Sequence, residues 1–223
     1  MNVHMKKLKT QYWSLLVASI FSACSSLPKA DKAVLSTPSV SATIGIPKDE
    51  ELRSDTTSTY VRFIGHGVGH SHAGQFKLKE GKVQLQGQNL VGGYFVIDIQ
   101  SMKLEDQSSG VQQKLRPHLL SSDFFNVQKY PYAMFNIYKT EPYHGHSVLN
   151  ANYMVSGGLT MKGVTRSISF PAQIRFQNGT VKARANFNIN RSWWNMSYGS
   201  DRSLGNKFIS DEVNVQLDCN FKL

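Results

Sequence analysis

The chain has 223 residues, enough for one large domain or two small ones with a sizeable core. Apolar residues at 40% and aromatics at 11% exclude a disordered polymer. A net charge of +10 favours acidic surfaces but does not by itself define a nucleic-acid binder.

Lys6, Lys7 and Lys9 fall in the first ten residues, and without that segment the charge is about +7. "MKKLK" has the form of a basic signal region, and "YWSLLVASIF" that of a short apolar one. Met5 is an alternative start, because everything the signal needs follows it. The apolar run is short for a membrane span, so residues 1–23 are expected to be an export signal. A plain cleavable signal and a membrane anchor are the alternatives.

"FSAC" resembles the bacterial lipobox, with Ser22 and Ala23 ahead of Cys24 and Phe21 in place of the usual leucine. That resemblance implies a lipid on Cys24 and a protein anchored to the bacterial envelope. Ser25 stands where an aspartate would imply inner-membrane retention, which points to the outer membrane and the periplasm. The other cysteine, Cys219, then has no intramolecular partner and is expected to be a buried thiol.

Residues 24–55 are rich in Ser, Thr, Pro and Ala and lack a sustained period. They are expected to form a flexible tether, with the folded domain at 56–223.

From Thr56 onward the period is two. "VNVQLDCNFKL" places Val213, Val215, Leu217, Cys219 and Phe221 on one face, against Asn214, Gln216, Asp218 and Asn220. "VKARANFNIN" and "ISFPAQIRF" repeat the alternation, which specifies half-buried antiparallel strands. Weaker versions predict strands near 57–66, 70–78, 81–90, 92–102, 132–140 and 149–161. Turns are expected at "EGK" 80–82, "VGG" 91–93, "MKG" 161–163 and "QNG" 177–179. Pro171 marks an edge or a bulge within its strand. The count suggests an antiparallel up-and-down β-barrel or a sandwich.

Residues 108–126 lose the alternation. A short helical insertion is expected there, with Pro117 as a candidate start and Ser122 or Asp123 as a candidate cap. Tyr130-Pro131 then restores extended backbone.

Four segments, in order, resemble the YceI-like family of secreted bacterial proteins. They are "HLLSSDFFNVQKYPYAMF" at 118–135, "GGLTMKGVTRSISFPAQI" at 157–174, "FNINRSWWNM" at 187–196 and "SDEVNVQL" at 210–217. Two departures stand out: Trp193-Trp194 replace the family's usual Asp and Phe, and "GHGVGHSHAGQF" is a variant opening. The resemblance implies a lipocalin-like all-β barrel that binds a long isoprenoid or related amphiphile. It also implies a set of lining residues. These are Phe63, Phe95, Ile97, Ile99, Phe125, Phe135, Ile137, Leu159, Phe170, Ile174, Ala183, Phe187 and Ile189, with Arg191 and Trp193 nearby. Ala133, Ala172, Ala183 and Ala185 are small enough to leave room. Alternation alone favours a packed interior, so the rival reading is a structural or stress-related envelope module with protein partners.

Seven histidines raise the question of a metal. His70 and His72 share a strand face, His144 and His146 repeat the spacing, and His66 lies four before His70. Two pairs without a thiolate or carboxylate at motif spacing do not specify zinc, and solvated or hydrogen-bonded histidines are the simpler reading. No nucleophile elbow, phosphate loop or His-Glu-x-x-His is present, so neither an enzyme nor a cofactor is expected. Arg191 is expected to pair with Asp201 or Asp211, stack on indole, or meet a ligand head group. Export argues against nucleic acid, and homodimer formation through a sheet edge or a surface patch stays open.

Overall fold

The computed structural model describes residues 28–37, 50–106, 108–177 and 179–222. The export signal and Cys24 lie outside the described residues. The alternating segments form strands β4 (Tyr60–Gly67), β5 (His70–Gln86), β6 (Asn89–Leu104), β7 (Tyr132–Pro142) and β8 (Tyr153–Met161). β9 (Val164–Gln177), β10 (Thr180–Asn190) and β11 (Glu212–Lys222) follow. Each pairs antiparallel with the next, and β11 returns to β4 through Asn214–Asp218 against Tyr60–Ile64. The eight strands thus close into an all-antiparallel barrel.

The N-terminal segment is more ordered than its composition suggests. Strands β1 (Asp31–Lys32) and β2 (Val34–Leu35) lie against β10 and β9, and β3 (Glu50–Ser54) bridges β5 and β11. A tether reaching residue 55 is therefore corrected in these pieces. Leu52 is 1% exposed and joins the core beside Val83, while β3 supplies backbone partners to two barrel strands. Segments of two and five residues are too short to display a period.

Two expected turns are absent. "EGK" lies within β5 and "VGG" within β6, and the chain reverses at Gly87 instead. The glycines there permit close approach of two strands. A Cβ on Gly93 would fall 2.5 Å from the Lys82 carbonyl oxygen, and its φ of 156° suits glycine. Between Met161 and Val164, Lys162 and Gly163 both take positive φ, 50° and 76°, which matches the right-handed twist of a tight hairpin. β9 and β10 pair from Ala172–Ala185 to Gln177–Thr180, so Pro171 falls where that pairing stops, as an edge proline should.

The interrupted segment forms α1 (Ser109–Leu120) and a compact turn. Pro117 lies inside the last part of the helix rather than starting it. Its missing N–H falls opposite the carbonyl of exposed Gln113, four residues back. Ser108 and Ser121 flank the helix. Arg116 fastens it to β6 by donating to the carbonyls of Met102 at 2.9 Å and Gln100 at 2.8 Å. Leu115, Leu119 and Leu120 pack on the core. α1 and the 191–211 connection lie at one end of the barrel, and the Gly87 hairpin and the 143–152 connection at the other.

Candidate functional site

Alternation turns one side chain in two toward the barrel axis, and every inward row is apolar. The rows enclose a cavity of about 160 Å³. An apolar void of about 150 Å³ lined by Leu, Ile and Phe stays dry and accepts a small hydrocarbon. This space therefore suits a slender apolar chain better than water.

Thirteen of the fifteen residues expected at the lining are in its wall. They are Phe63 on β4, Phe95, Ile97 and Ile99 on β6, Phe135 and Ile137 on β7, Leu159 on β8, Phe170 and Ile174 on β9, Ala183, Phe187 and Ile189 on β10, and Phe125 after α1. Phe63 stacks on Phe76 at 5.1 Å, and Phe76 meets Phe125 edge-on at 5.5 Å, forming an aromatic floor at the α1 end. Ala183 faces Cys219 and Ile174 across its two ladders, so a small side chain is flanked by two medium ones. Arg184 also touches the wall, but its side chain is 56% exposed and its guanidinium pairs with Asp218 at 3.5 Å.

The β11 row was not assigned to the lining from the sequence. Val213, Val215, Leu217, Cys219 and Phe221 all line the cavity, and the strict alternation of "VNVQLDCNFKL" carried that signal. Cys219 is buried and free; burial, with Asp218 nearby, pushes its thiol up to about 12.

Arg191 and Trp193 are not in the wall, which corrects their expected place at a ligand. The alternation ends at Asn190, whose side chain accepts from Ser192 N and caps a 3-10 turn, Arg191–Trp194. The turn carries Arg191 into the cap at the barrel end, where it is 4% exposed. Its guanidinium donates to the carbonyls of Ser210 at 2.9 Å, Ile209 at 2.9 Å and Met196, and lies 3.2 Å from Asp211. Burial lowers its pKa from the ordinary guanidinium value, and Asp211 opposes that shift. Pairing with Asp211 was one of the expected roles. Trp193 faces a separate polar hollow shared with Lys32, Asn188 and Arg202. Trp194 is the buried indole, fully enclosed, with Nε1 donating to the Leu159 carbonyl at 2.9 Å.

The paired phenylalanines divide the same way. Phe125 lines the cavity, while Phe124 packs in the cap against Tyr198 and beneath Arg191. His118 contacts both Phe124 and Tyr198 edge-on and pairs with Asp123 at 3.1 Å. His72 pairs with Asp106 at 3.1 Å, and the rings of His70 and His72 are 5.2 Å apart. Among the described residues, no group of three or more His, Cys, Asp or Glu is placed to hold a metal.

A closed eight-stranded antiparallel barrel around an apolar cavity is the class of protein that this geometry defines. Residues 52–221 match the YceI-like domain, and the chain belongs to that family. Among solved structures the chain is similar to Burkholderia cenocepacia BcnA, at 22% identity and a TM-score of 0.61, covering 75% of this chain and 98% of that one. It is also similar to a polyisoprenoid binding domain from Saccharophagus degradans implicated in plant cell wall breakdown. That likeness has 14% identity and a TM-score of 0.55, over 77% of this chain and 97% of the other. A Campylobacter jejuni YCEI protein with a monobromobimane guest gives 22% identity and a TM-score of 0.51, over 66% and 82%. These likenesses are of fold. No match was found among curated proteins.

Proposed function

We propose that this protein binds a long isoprenoid or related amphiphilic lipid in its barrel and stores, shields or transfers it in the bacterial envelope. The observation that carries this reading is the cavity itself, walled by apolar inward rows from all eight barrel strands. Burying about 300 Å² of prenyl surface at about 25 cal/mol per Å² is worth roughly 7 kcal/mol before association costs. The similarity to the polyisoprenoid binding domain from Saccharophagus degradans supports the same ligand class. A packed structural module is the weaker reading, because the interior keeps free space. Fluorescence titration with a dansyl-tagged farnesyl alcohol tests the proposal. Saturable binding, with a melting temperature that rises with ligand concentration, supports it. No binding by any prenyl or fatty alcohol contradicts it.

The envelope location belongs to the same proposal and is supported by the basic, apolar and "FSAC" segments of the N-terminus. A lipid on Cys24 would anchor the barrel to the outer membrane on its periplasmic side. Cys24→Ala is expected to move the protein from the membrane fraction to the soluble one. Unchanged membrane association would rule out the lipid anchor.

A further inference from the structure

The barrel wall has an incomplete seam between β9 and β10. β9 and β10 pair along Ala172–Gln177 and Thr180–Ala185. Beyond Ala172 and Ala185 both strands continue toward the α1 end without pairing to each other. Residues 29–36 fill the opening. β1 runs parallel to Phe187 and Asn188, and β2 antiparallel to Ile168 and Ser169. Ala33 N donates to the Asn188 carbonyl at 2.9 Å, and Ser36 N to the Ser167 carbonyl at 2.9 Å. Asn186 holds the Lys29 carbonyl at 3.3 Å, and the Asp31 carboxylate accepts from Val148 N at 3.2 Å.

This filling strand is lightly held. Ala33 alone among its residues is buried, whereas Val34 and Leu35 are 55% and 51% exposed. Its seal therefore rests on a few backbone bonds and one methyl group, whereas β10 and β11 pair along their full length. Directly behind it, Phe170 and Phe187 reach across the seam from the two strands and stack at 4.0 Å with an interplanar angle of 11°. Both rings line the cavity. The barrel ends are closed by side chains. Trp194 and Phe124 fill the α1 end, and Leu52, Val83 and Phe221 the other, each at most 6% exposed. The family match begins at residue 52, so the filling strand lies before it.

We propose that residues 29–36 are a removable wall strand, and that its release opens a lateral portal through which an apolar chain reaches the cavity past Phe170 and Phe187. The proposal rests on the lipid-binding reading only for what passes through. Local opening of short, weakly bonded segments is the low-energy motion of such a fold.

Cys219 provides a reporter that needs no lipid, because it is buried and lines the cavity. In the full chain carrying Cys24→Ser, residues 29–36 are replaced by a Gly-Ser segment of equal length, and N-ethylmaleimide labelling of Cys219 is timed. Labelling at least tenfold faster, at a rate insensitive to low denaturant, is expected. A second variant adds Val34→Cys and Ser169→Cys, residues that face each other in register, to Cys24→Ser and Cys219→Ala. When oxidised it is expected to take up the dansyl-tagged farnesyl alcohol at least tenfold more slowly than when reduced. Unchanged Cys219 labelling without the strand, or equal uptake by oxidised and reduced protein, overturns the portal. Faster Cys219 labelling in a protein that takes up no prenyl probe supports the portal and sinks the lipid reading instead.

Discussion

The barrel interior and the cap at its α1 end are both buried, yet they are built on opposite principles. The interior is lined by apolar rows that leave about 160 Å³ unfilled. The cap closes on Trp194 and on Arg191, whose guanidinium meets three carbonyls and a carboxylate. In the interior, missing contacts cost dispersion energy and leave room for a ligand. In the cap the Arg191 guanidinium ties Met196, Ile209, Ser210 and Asp211 together, so the geometry there is fixed and intolerant. Free space marks where this molecule is adaptable, and the Arg191 hydrogen-bond network marks where it is not.

Substitutions should separate the two regions. The largest effect is expected from Arg191→Met, which strands buried carbonyls and Asp211 and should cost about 3–5 kcal/mol in urea unfolding. Its ligand affinity, measured where the variant remains folded, should be unchanged, because Arg191 is outside the cavity wall. Next comes Ala183→Phe, which fills the cavity. Prenyl affinity should fall at least tenfold, about 1.4 kcal/mol, while stability shifts by about 1–3 kcal/mol or less. Equal affinity in Ala183→Phe and the parent would place the ligand elsewhere.

A smaller effect tests the cavity wall by pH. The Cys219 thiol is raised from an ordinary 9.0 to about 12 by burial, so the unfolded chain loses its proton first as pH rises. The stabilisation is full below pH 9 and is lost between 9 and 12. Cys219→Ala should flatten that alkaline decline relative to the parent, both carrying Cys24→Ser, in stability measured across the range. The smallest effect is expected outside both regions, at the partly exposed Arg62–Glu105 pair, 2.6 Å apart. Its hydrogen bond lowers the Glu105 carboxyl below its ordinary 4.5, so its contribution is present above that value and lost as pH falls. Glu105→Gln should cost less than about 1 kcal/mol in urea unfolding at pH 7.

The barrel was legible because period two is a direct projection of the pleat, and thirteen of the fifteen residues expected at the lining are in the cavity wall. The same pattern misled at Arg191, since alternation carried past Ile189 ignores the cap that Asn190 makes. Asn-Arg-Ser gives no sign of direction until its backbone turns. The filling strand was illegible for a different reason. Its conformation comes from the unpaired edges of β9 and β10, which no local pattern in residues 29–36 records. The glycines at "EGK" and "VGG" were read as turns because a glycine allowing close strand approach and one reversing the chain look alike in sequence. Hollowness was the least legible property, because apolar inward rows suit a filled barrel equally well.

The central claim is that the interior holds an apolar chain. Native mass spectrometry of the full-length protein, expressed in a bacterial envelope and extracted in mild detergent, tests it most directly. The prediction is a non-covalent adduct of several hundred daltons that Ala183→Phe diminishes and added prenyl alcohol displaces. A bare protein mass that acquires no adduct from added prenyl or fatty alcohols would contradict it.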